Sequence, residues 1–454
     1  MSMEWPKLLC AERLGSTRPA DAELQRSPFQ RDSDRIIFSS AFRRLQDKTQ
    51  VFPLADNDYV RTRLTHSLEV ASVARSLGTI VGAAICERGD LTGIHASDFG
   101  AIVSAAALAH DLGNPPFGHS GEDAIRVWFE SSKIAHDART PLKKNEQEDL
   151  ARFEGNAQGF RLITRLQMPD NPGLRLTHAT LGAYMKYPIE ALVPEKARIH
   201  EGASTKKFGF FQSEREFFTE VANRCGLIRR APLHSWWARH PLAFLVEAAD
   251  DICYRLVDFE DGFRLGFLSY EEVRDSFVSV AGNEALRARA EQIREPKERI
   301  EFLRAMAIGA AMQQTAELFL TKEAEILRGE FDQTLIELIP AGAALEAIKA
   351  RSIDTIYSTM RGVEIEAAGF AVLGGLLDDF VAAVSDAARR GKHASPRSRK
   401  LLRLVPEQSI GPNREPDPSP YQRLLRMIDF VSGMTDTYAV ALYKKVRGIS
   451  LPGQ

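Results

Sequence analysis

Apolar residues recur along most of this chain at intervals of three and four, the period of helices with one buried face. The first such stretch, Asp34 to Gln46, carries Ile36, Ile37, Phe38, Phe42 and Leu45, with Ser33 placed as N-cap. Residues 49–64 break the period: Val51 and Phe52, the turn formers Asp56-Asn57-Asp58, then Tyr59 and Val60 predict a short β-hairpin. His66 to Cys86 returns to helical spacing. Ser97 is placed as the cap of a helix whose body, Ala101 to Ala109, is small and apolar all round, which implies burial on most sides. That helix must stop at His110-Asp111, because Gly113, Pro115 and Pro116 follow.

Residues 131–150 are polar and aperiodic and are expected to form a loop or mobile insertion. Helical spacing resumes over Phe153 to Leu166, over Leu242 to Asp258, and in a series of amphipathic segments from Ser269 to Arg390. The basic stretch from Arg389 to Arg403 and the proline-rich stretch from Pro406 to Pro420 are expected to form a surface loop, near 389–420. Tyr421 to Val446 reads as a last helical element, broken near Gly433. No internal repeat is evident. The expected class is mainly α, a helical bundle with one hairpin, divided into a core over 1–270 and a C-terminal helical region over 271–454 that completes the fold.

Composition adds limits. With 454 residues the chain exceeds one ordinary core, so one large domain with extensions or two domains are expected. Apolar residues make up 44% and charged residues 26%, as in globular proteins, and 59 basic residues nearly cancel 61 acidic ones. Whole-chain charge therefore supplies no non-specific attraction to nucleic acid; only a local patch could. The four cysteines, at 10, 86, 225 and 253, form no CxxC pair and suit a reducing cytoplasm. The first twenty residues lack the apolar core of a secretion signal, and no run reaches the roughly 18 apolar residues of a bilayer span. The stretch Gly369 to Val384 is interrupted by Asp378 and Asp379. A soluble cytoplasmic protein with no membrane partner is the expectation.

The chemistry concentrates in three places. His66 begins one helix, His110 and Asp111 end a buried one, and Asp250 and Asp251 interrupt an apolar face made by Leu245, Val246, Ala248, Ala249 and Ile252. An ionised aspartate buried in such a place costs several kcal/mol unless it is paired or metal-bound. Imidazoles with carboxylates suit divalent ions of borderline hardness, and ligands drawn from several helices are how all-helical cores hold metals. An aspartate–histidine salt bridge would answer the same need without a metal.

Longer strings narrow the choice. RDSDRIIFSSAFRRLQDKTQVFP, RTRLTHSLEV, HDLGNPPFGHSGE, FEGNAQGF and EAADDICYRLVDFEDG occur in that order, within an H…HD…D frame. Together they resemble the deoxyguanosine-triphosphate triphosphohydrolase (dGTPase) group of the HD-domain phosphohydrolases. The resemblance is dense from about 28 to 262 and resumes at MIDFVSGMTDTYA; little is recognisable between about 265 and 420. It implies an HD-domain bundle that cleaves a deoxynucleoside triphosphate between the α-phosphorus and O5′, releasing deoxynucleoside and tripolyphosphate. dGTP is the expected favoured substrate, with broad dNTP use an open variant.

The resemblance also implies roles. His66, His110, Asp111 and Asp250 match metal ligands, for magnesium, manganese or another first-row transition metal. His119 and Glu122 match a catalytic dyad. An imidazole can relay a proton to a departing alkoxide, and a glutamate one helical turn on could hold the ring and raise its basicity. Arg63, one turn before His66, could clamp phosphate. Asp250, Tyr254 and Asp258 follow each other at intervals of four, on one stripe of a helix. In the family the corresponding tyrosine and aspartate, with Gln50, meet the deoxyribose, and Asn156, Lys186 and Tyr187 match further substrate contacts. Asn114 stands where several relatives have histidine, so no titrating imidazole acts there.

Two other readings keep part of the pattern. An HD-type phosphomonoesterase or phosphodiesterase needs the metal ligands but not Gln50, Tyr254 and Asp258 together. A regulatory protein binding single-stranded DNA or dNTPs, with weak catalysis, would use the basic stretch Arg389, Arg390, Lys392, Arg397, Arg399, Lys400 and Arg403, which has few aromatics for stacking. The family resemblance implies homo-oligomers, often hexamers, and single-stranded DNA or dNTPs as activators.

Overall fold

The structure is a computed structural model that describes residues 2–16, 26–50, 61–89, 91–168, 173–198 and 201–450. It is mostly helical. The central element is the 24-residue helix Pro241–Arg264, buried along nearly its whole length. It packs on Arg63–Cys86, Ala96–Ala109, Pro296–Leu327 and Gly342–Ser352. Helices Arg63–Cys86 and Ala96–Ala109 lie closest to each other, as the small side chains of the second helix predict.

Two apolar cores form, and they interleave along the chain. One takes the N-terminal residues, the two helices just named, residues around 160–185 and most of 237–356. The other takes residues 117–157, residues 187–208 with Phe211, Ala231 and Trp236, and 372–442, built around Met360–Arg390 packed on Gly118–Ser131, Pro396–Leu404 and Pro420–Ser432, while Phe210 and the core residues of 218–227 join the first. Arg161 joins distant parts. Its guanidinium is buried between Glu214, at 2.7 Å, and Asp429, at 2.8 Å.

Several expectations change. Ser33 caps nothing: Ser27 caps Pro28–Ile37 and Ser39 caps Ser40–Arg44, because the chain turns at Phe38. His95, not Ser97, is the N-cap of Ala96–Ala109. Of the hairpin near 49–64, residues 51–60 lie outside the described residues. One isolated antiparallel bridge, Thr49 to Thr62, joins its ends, and there is no sheet among the described residues. Residues 131–150 are not a loop. Helices Lys133–Arg139 and Lys144–Ala151 occupy them, burying Ala135 and Leu150, single apolar contacts too sparse to show a period. Likewise 389–420 is no extended loop: Pro396–Leu404 and Glu407–Ile410 are helical, with Ser395 capping the first.

The Phe153–Leu166 helix divides into Gly155–Arg161 and a wider π turn, Leu162–Leu166. The break near Gly433 separates Pro420–Ser432 from Asp436–Val446. Two helices, Arg63–Cys86 and Gly362–His393, do reach the length and apolarity of a bilayer span, 50% and 61% buried over that window, as core helices are.

Candidate functional site

The site lies where the two cores meet. Helices of the first core bring in His66, His110 and Asp250; Gly118–Ser131, from the second, brings in His119 and Glu122. His66 stands in the first turn of its helix, where its N–H reaches Thr62 O at 3.0 Å and Thr62 N–H donates to Thr65 Oγ1 at 3.1 Å. His110 is the C-cap of Ala96–Ala109, and the chain then turns through Asp111 to Asn114. Gly113 permits that turn to lie against Gly155–Arg161: a Cβ there would stand 2.0 Å from Gly155 O. Thus HDLG and FEGNAQ touch because neither carries a side chain at the crossing.

One ring nitrogen from each of His66 and His110 and one oxygen of Asp250 lie within 4.8 Å of one another. His66 Nε2 is 3.1 Å from Asp250 Oδ1, and His110 Nε2 is 3.6 Å from the same oxygen. His110 Nδ1 donates to Ala107 O at 2.6 Å, so Nε2 presents a lone pair, buried and without a hydrogen bond among the described residues. This donor set fits a divalent cation. Asp111 stands beside the cluster, with Oδ1 3.5 Å from His110 Nε2; its Oδ2 accepts from Arg63 at 2.9 Å and its Oδ1 from Asn114.

Burial alone would raise the Asp250 pKa and lower that of His66. The facing charges of His110 and His66 reverse the first, and the hydrogen bond and charge of Asp250 reverse the second. Burial would also raise the Asp111 pKa, but Arg63, His110 and His66 bring it to about 2. Asp251 differs from Asp250: burial raises its pKa to about 6 against the pull of Lys186, and it is no part of the three-residue cluster.

A cavity of about 190 Å³ opens from the cluster. His110, Asp111, His119, Glu122, Asn156, Lys186, Tyr187 and Asp250 line it, so eight of the thirteen predicted residues share one wall. His119 sits exposed at the cavity. Burial of the ring nitrogens lowers its pKa from the ordinary value, with Lys207 and Arg63 adding to that and the charges of Glu122 and Asp111 opposing it. The expected grip of Glu122 on His119 is not the one observed. Glu122 Oε1 accepts from the first N–H of helix Gly155–Arg161, that of Gly155, at 2.8 Å, and Oε2 faces Arg126 at 3.2 Å and Lys207 at 3.5 Å. Two cations and a helix-start N–H outcompete one exposed imidazole.

Lys186 Nζ lies 3.4 Å from Glu247, whose charge raises the lysine pKa despite burial. Asn156 donates to Glu154 at 2.9 Å.

Arg63, Gln50, Tyr254 and Asp258 do not line this cavity. Arg63 faces Asp111 instead of open space. Gly118, at φ +59°, leaves room for it: a Cβ there would meet Arg63 Nη2 at 2.7 Å. Asp258 is 1% exposed, and burial raises its pKa to about 6. Among the described residues, its Oδ1 and Gln50 Oε1 are both buried without a hydrogen-bond partner, as acceptors awaiting a donor would be. A larger cavity of about 560 Å³, lined in part by Arg44, Arg165 and Arg426, contains none of the predicted residues.

A model of the HD domain matches residues 63–156, which include His66, His110, Asp111, His119, Glu122 and Asn156. A deoxyguanosinetriphosphate triphosphohydrolase-like protein of Synechocystis is 47% identical, covering 99% of this chain and 100% of its own length. One of Pseudomonas aeruginosa is 40% identical with the same coverage. The deoxyguanosinetriphosphate triphosphohydrolase of Salmonella paratyphi A is 31% identical over 93% of this chain and 94% of its own. The chain belongs to the deoxyguanosinetriphosphate triphosphohydrolase-like family. It is therefore a hydrolase, and HD domains are metal-dependent.

Within this dGTPase-like chain, four residues that the sequence did not single out join the site. Glu247 precedes Asp250 by three positions on the same helix and pairs with both Lys186 and Arg239; the stripe that picked Tyr254 and Asp258, extended backwards, would have found it. Lys207 comes from an aperiodic segment that offers no such signal. Lys48 is fully buried, donating to Asn114 O and Ser432 O; burial, with repulsion from Arg44 and Arg63, brings its pKa to about 7 against the pull of Asp436. Tyr357 stacks on Tyr254, with centroids 5.5 Å apart, and donates to Asp258 Oδ2 at 2.9 Å.

Proposed function

We propose that this protein hydrolyses deoxynucleoside triphosphates to deoxynucleoside and tripolyphosphate, with dGTP favoured and other dNTPs accepted. The observation that carries this reading is the convergence of His66, His110 and Asp250 within 4.8 Å beside a cavity lined by His119 and Lys186. His66, His110, Asp111 and Asp250 would hold a divalent ion, magnesium, manganese or a first-row relative. When bound, the ion supplies Lewis-acid polarisation of the phosphoryl group and a water of lowered pKa.

The protein's own groups do the rest. His119, at the cavity, takes a proton from the attacking water and passes it to the departing O5′. Glu122, anchored to Gly155, holds the helix that carries His119 against the FEGNAQ segment. Lys186 supplies fixed positive charge for phosphate oxygens, with Asn156 and Tyr187 on the same wall, while Arg63 holds Asp111 beside the metal cluster. Gln50 and Asp258 offer acceptors to the sugar hydroxyl, and the Tyr254–Tyr357 stack makes the apolar surface against C2′.

The test is incubation with each dNTP and Mg²⁺ or Mn²⁺, with and without single-stranded DNA, followed by product identification. Tripolyphosphate with deoxynucleoside supports the reading. Orthophosphate or pyrophosphate sinks it and favours a phosphomonoesterase or phosphodiesterase. A His110→Ala protein that kept full metal-dependent turnover would refute the metal site. Activation by single-stranded DNA or a second dNTP is read in the same assay. Assembly into a homo-oligomer, a hexamer included, is read by light scattering of the full chain.

A further inference from the structure

Cys10, Glu12 and His178 play no part in the site above, yet the backbone brings them together. The N-terminal segment runs beside the start of helix His178–Tyr184: His178 N–H donates to Glu12 O at 2.9 Å, Ala179 N–H to Cys10 O at 3.1 Å and Leu14 N–H to Leu176 O at 3.2 Å, with an antiparallel bridge from Arg13 to Thr177. This pairing fixes the register. The Cys10 sulfur, one carboxylate oxygen of Glu12 and a ring nitrogen of His178 lie within 4.8 Å of one another.

The two nitrogens of His178 have different partners. Nδ1 faces Cys10 Sγ at 3.8 Å, while Nε2 is 3.0 Å from Glu220 Oε1. A carboxylate on the far nitrogen of a buried imidazole is the usual means of fixing the ring and its tautomer for metal ligation. The spacing agrees. Bonds of about 2.3 Å to sulfur and about 2.0 Å to nitrogen, at a tetrahedral angle, place S and N roughly 3.5 Å apart. Charge agrees too. A Cys10 thiolate, Glu12 and Glu220 carry three negative charges; Arg224, 3.0 Å from Glu12 Oε2, and a divalent ion carry three positive ones.

We propose that Cys10, Glu12 and His178 form a second, thiolate-containing site for a borderline-soft divalent cation of the zinc class, with Glu220 as the residue that positions His178. One coordination position is left for water. The site clips the N-terminal segment to a helix whose other end, at Ala183 and Tyr184, lines the cavity beside Asn156. It does not depend on the reading of the first site, whose proposed ligands include no sulfur.

That difference supplies the test. Metal-free full-length protein is titrated with Co²⁺ while the near-ultraviolet sulfur-to-cobalt charge-transfer absorbance is followed. One equivalent of that absorbance is expected in the native protein and in Asp250→Ala, and none in Cys10→Ser. Glu12→Gln, at an exposed position where folding is not at stake, is expected to weaken cobalt binding at least tenfold, and Glu220→Gln by roughly 10- to 100-fold. No charge-transfer absorbance in the native protein overturns the proposal and leaves a thiol hydrogen-bonded to an imidazole. An undiminished band in Cys10→Ser also overturns it, by assigning the sulfur to another cysteine.

Discussion

The phenol of Tyr357 donates to Asp258 Oδ2 across 2.9 Å, while its ring stacks on Tyr254 at an interplanar angle of 13°. One residue from the weakly recognisable part of the chain thus completes the wall that Tyr254 and Asp258 begin. Tyr357→Phe keeps the stack and deletes the bond, leaving a buried carboxylate oxygen short of a donor. Such a loss costs about 1–2 kcal/mol, so kcat/KM for dNTP hydrolysis should fall roughly 5- to 30-fold. Steady-state kinetics measure it, and unchanged kcat/KM would remove Tyr357 from the sugar wall.

Gly118 holds a left-handed backbone beside Arg63. Gly118→Ala should cost about 1–2 kcal/mol of stability from the backbone alone. The new methyl also pushes Arg63 off Asp111. Displaced reacting groups cost up to about 10²-fold in rate, so turnover should fall by more than the stability loss alone explains. Thermal unfolding and turnover measured on one preparation separate the two effects.

Arg161 is buried between carboxylates from two distant segments. Asp429→Ala leaves the guanidinium with Glu214 as its remaining carboxylate partner, beside the Ser213 hydroxyl. Breaking a buried pair this way costs about 3–5 kcal/mol, which urea unfolding should register. A loss below about 1 kcal/mol would mean that solvent already reaches this pair.

His240 caps the central helix in a single tautomer. Its Nδ1 accepts from Leu242 N–H at 3.1 Å and its Nε2–H donates to Leu8 O at 2.9 Å. Burial lowers its pKa to about 4. The unfolded chain, with an ordinary value near about 6.5, takes up a proton that the folded state refuses. Stability from this group is therefore complete above about pH 6.5 and is lost as pH falls from there toward 4, by about 3 kcal/mol in all. Urea unfolding at pH 7.5 and pH 5 should show the slope, and His240→Asn, which keeps a capping oxygen, should flatten it.

The HD motif, the stripe of Asp250, Tyr254 and Asp258, and the stops at Gly113 and Pro115 could all be read from the chain. Each is a local pattern: period, cap or breaker acts within a turn or two of helix. The long helices were legible for the same reason. The short ones at Lys133–Arg139, Lys144–Ala151 and Pro396–Leu404 were not, because each buries only a few apolar residues, too few to show a period.

What remained was decided in three dimensions. Whether Glu122 would hold His119 depended on the competing charges of Arg126 and Lys207 and the Gly155 amide, none of which the spacing of the motif reveals. Asp250 faces both histidines while Asp251 does not, a difference set by the rotation of one helix against two others. Tyr357 and Lys48 reach the site through packing alone. The amino-acid order determined which residues could do the chemistry; the tertiary contacts determined their partners, since hydrogen bonds and ion pairs go to the nearest well-placed group in space rather than along the chain.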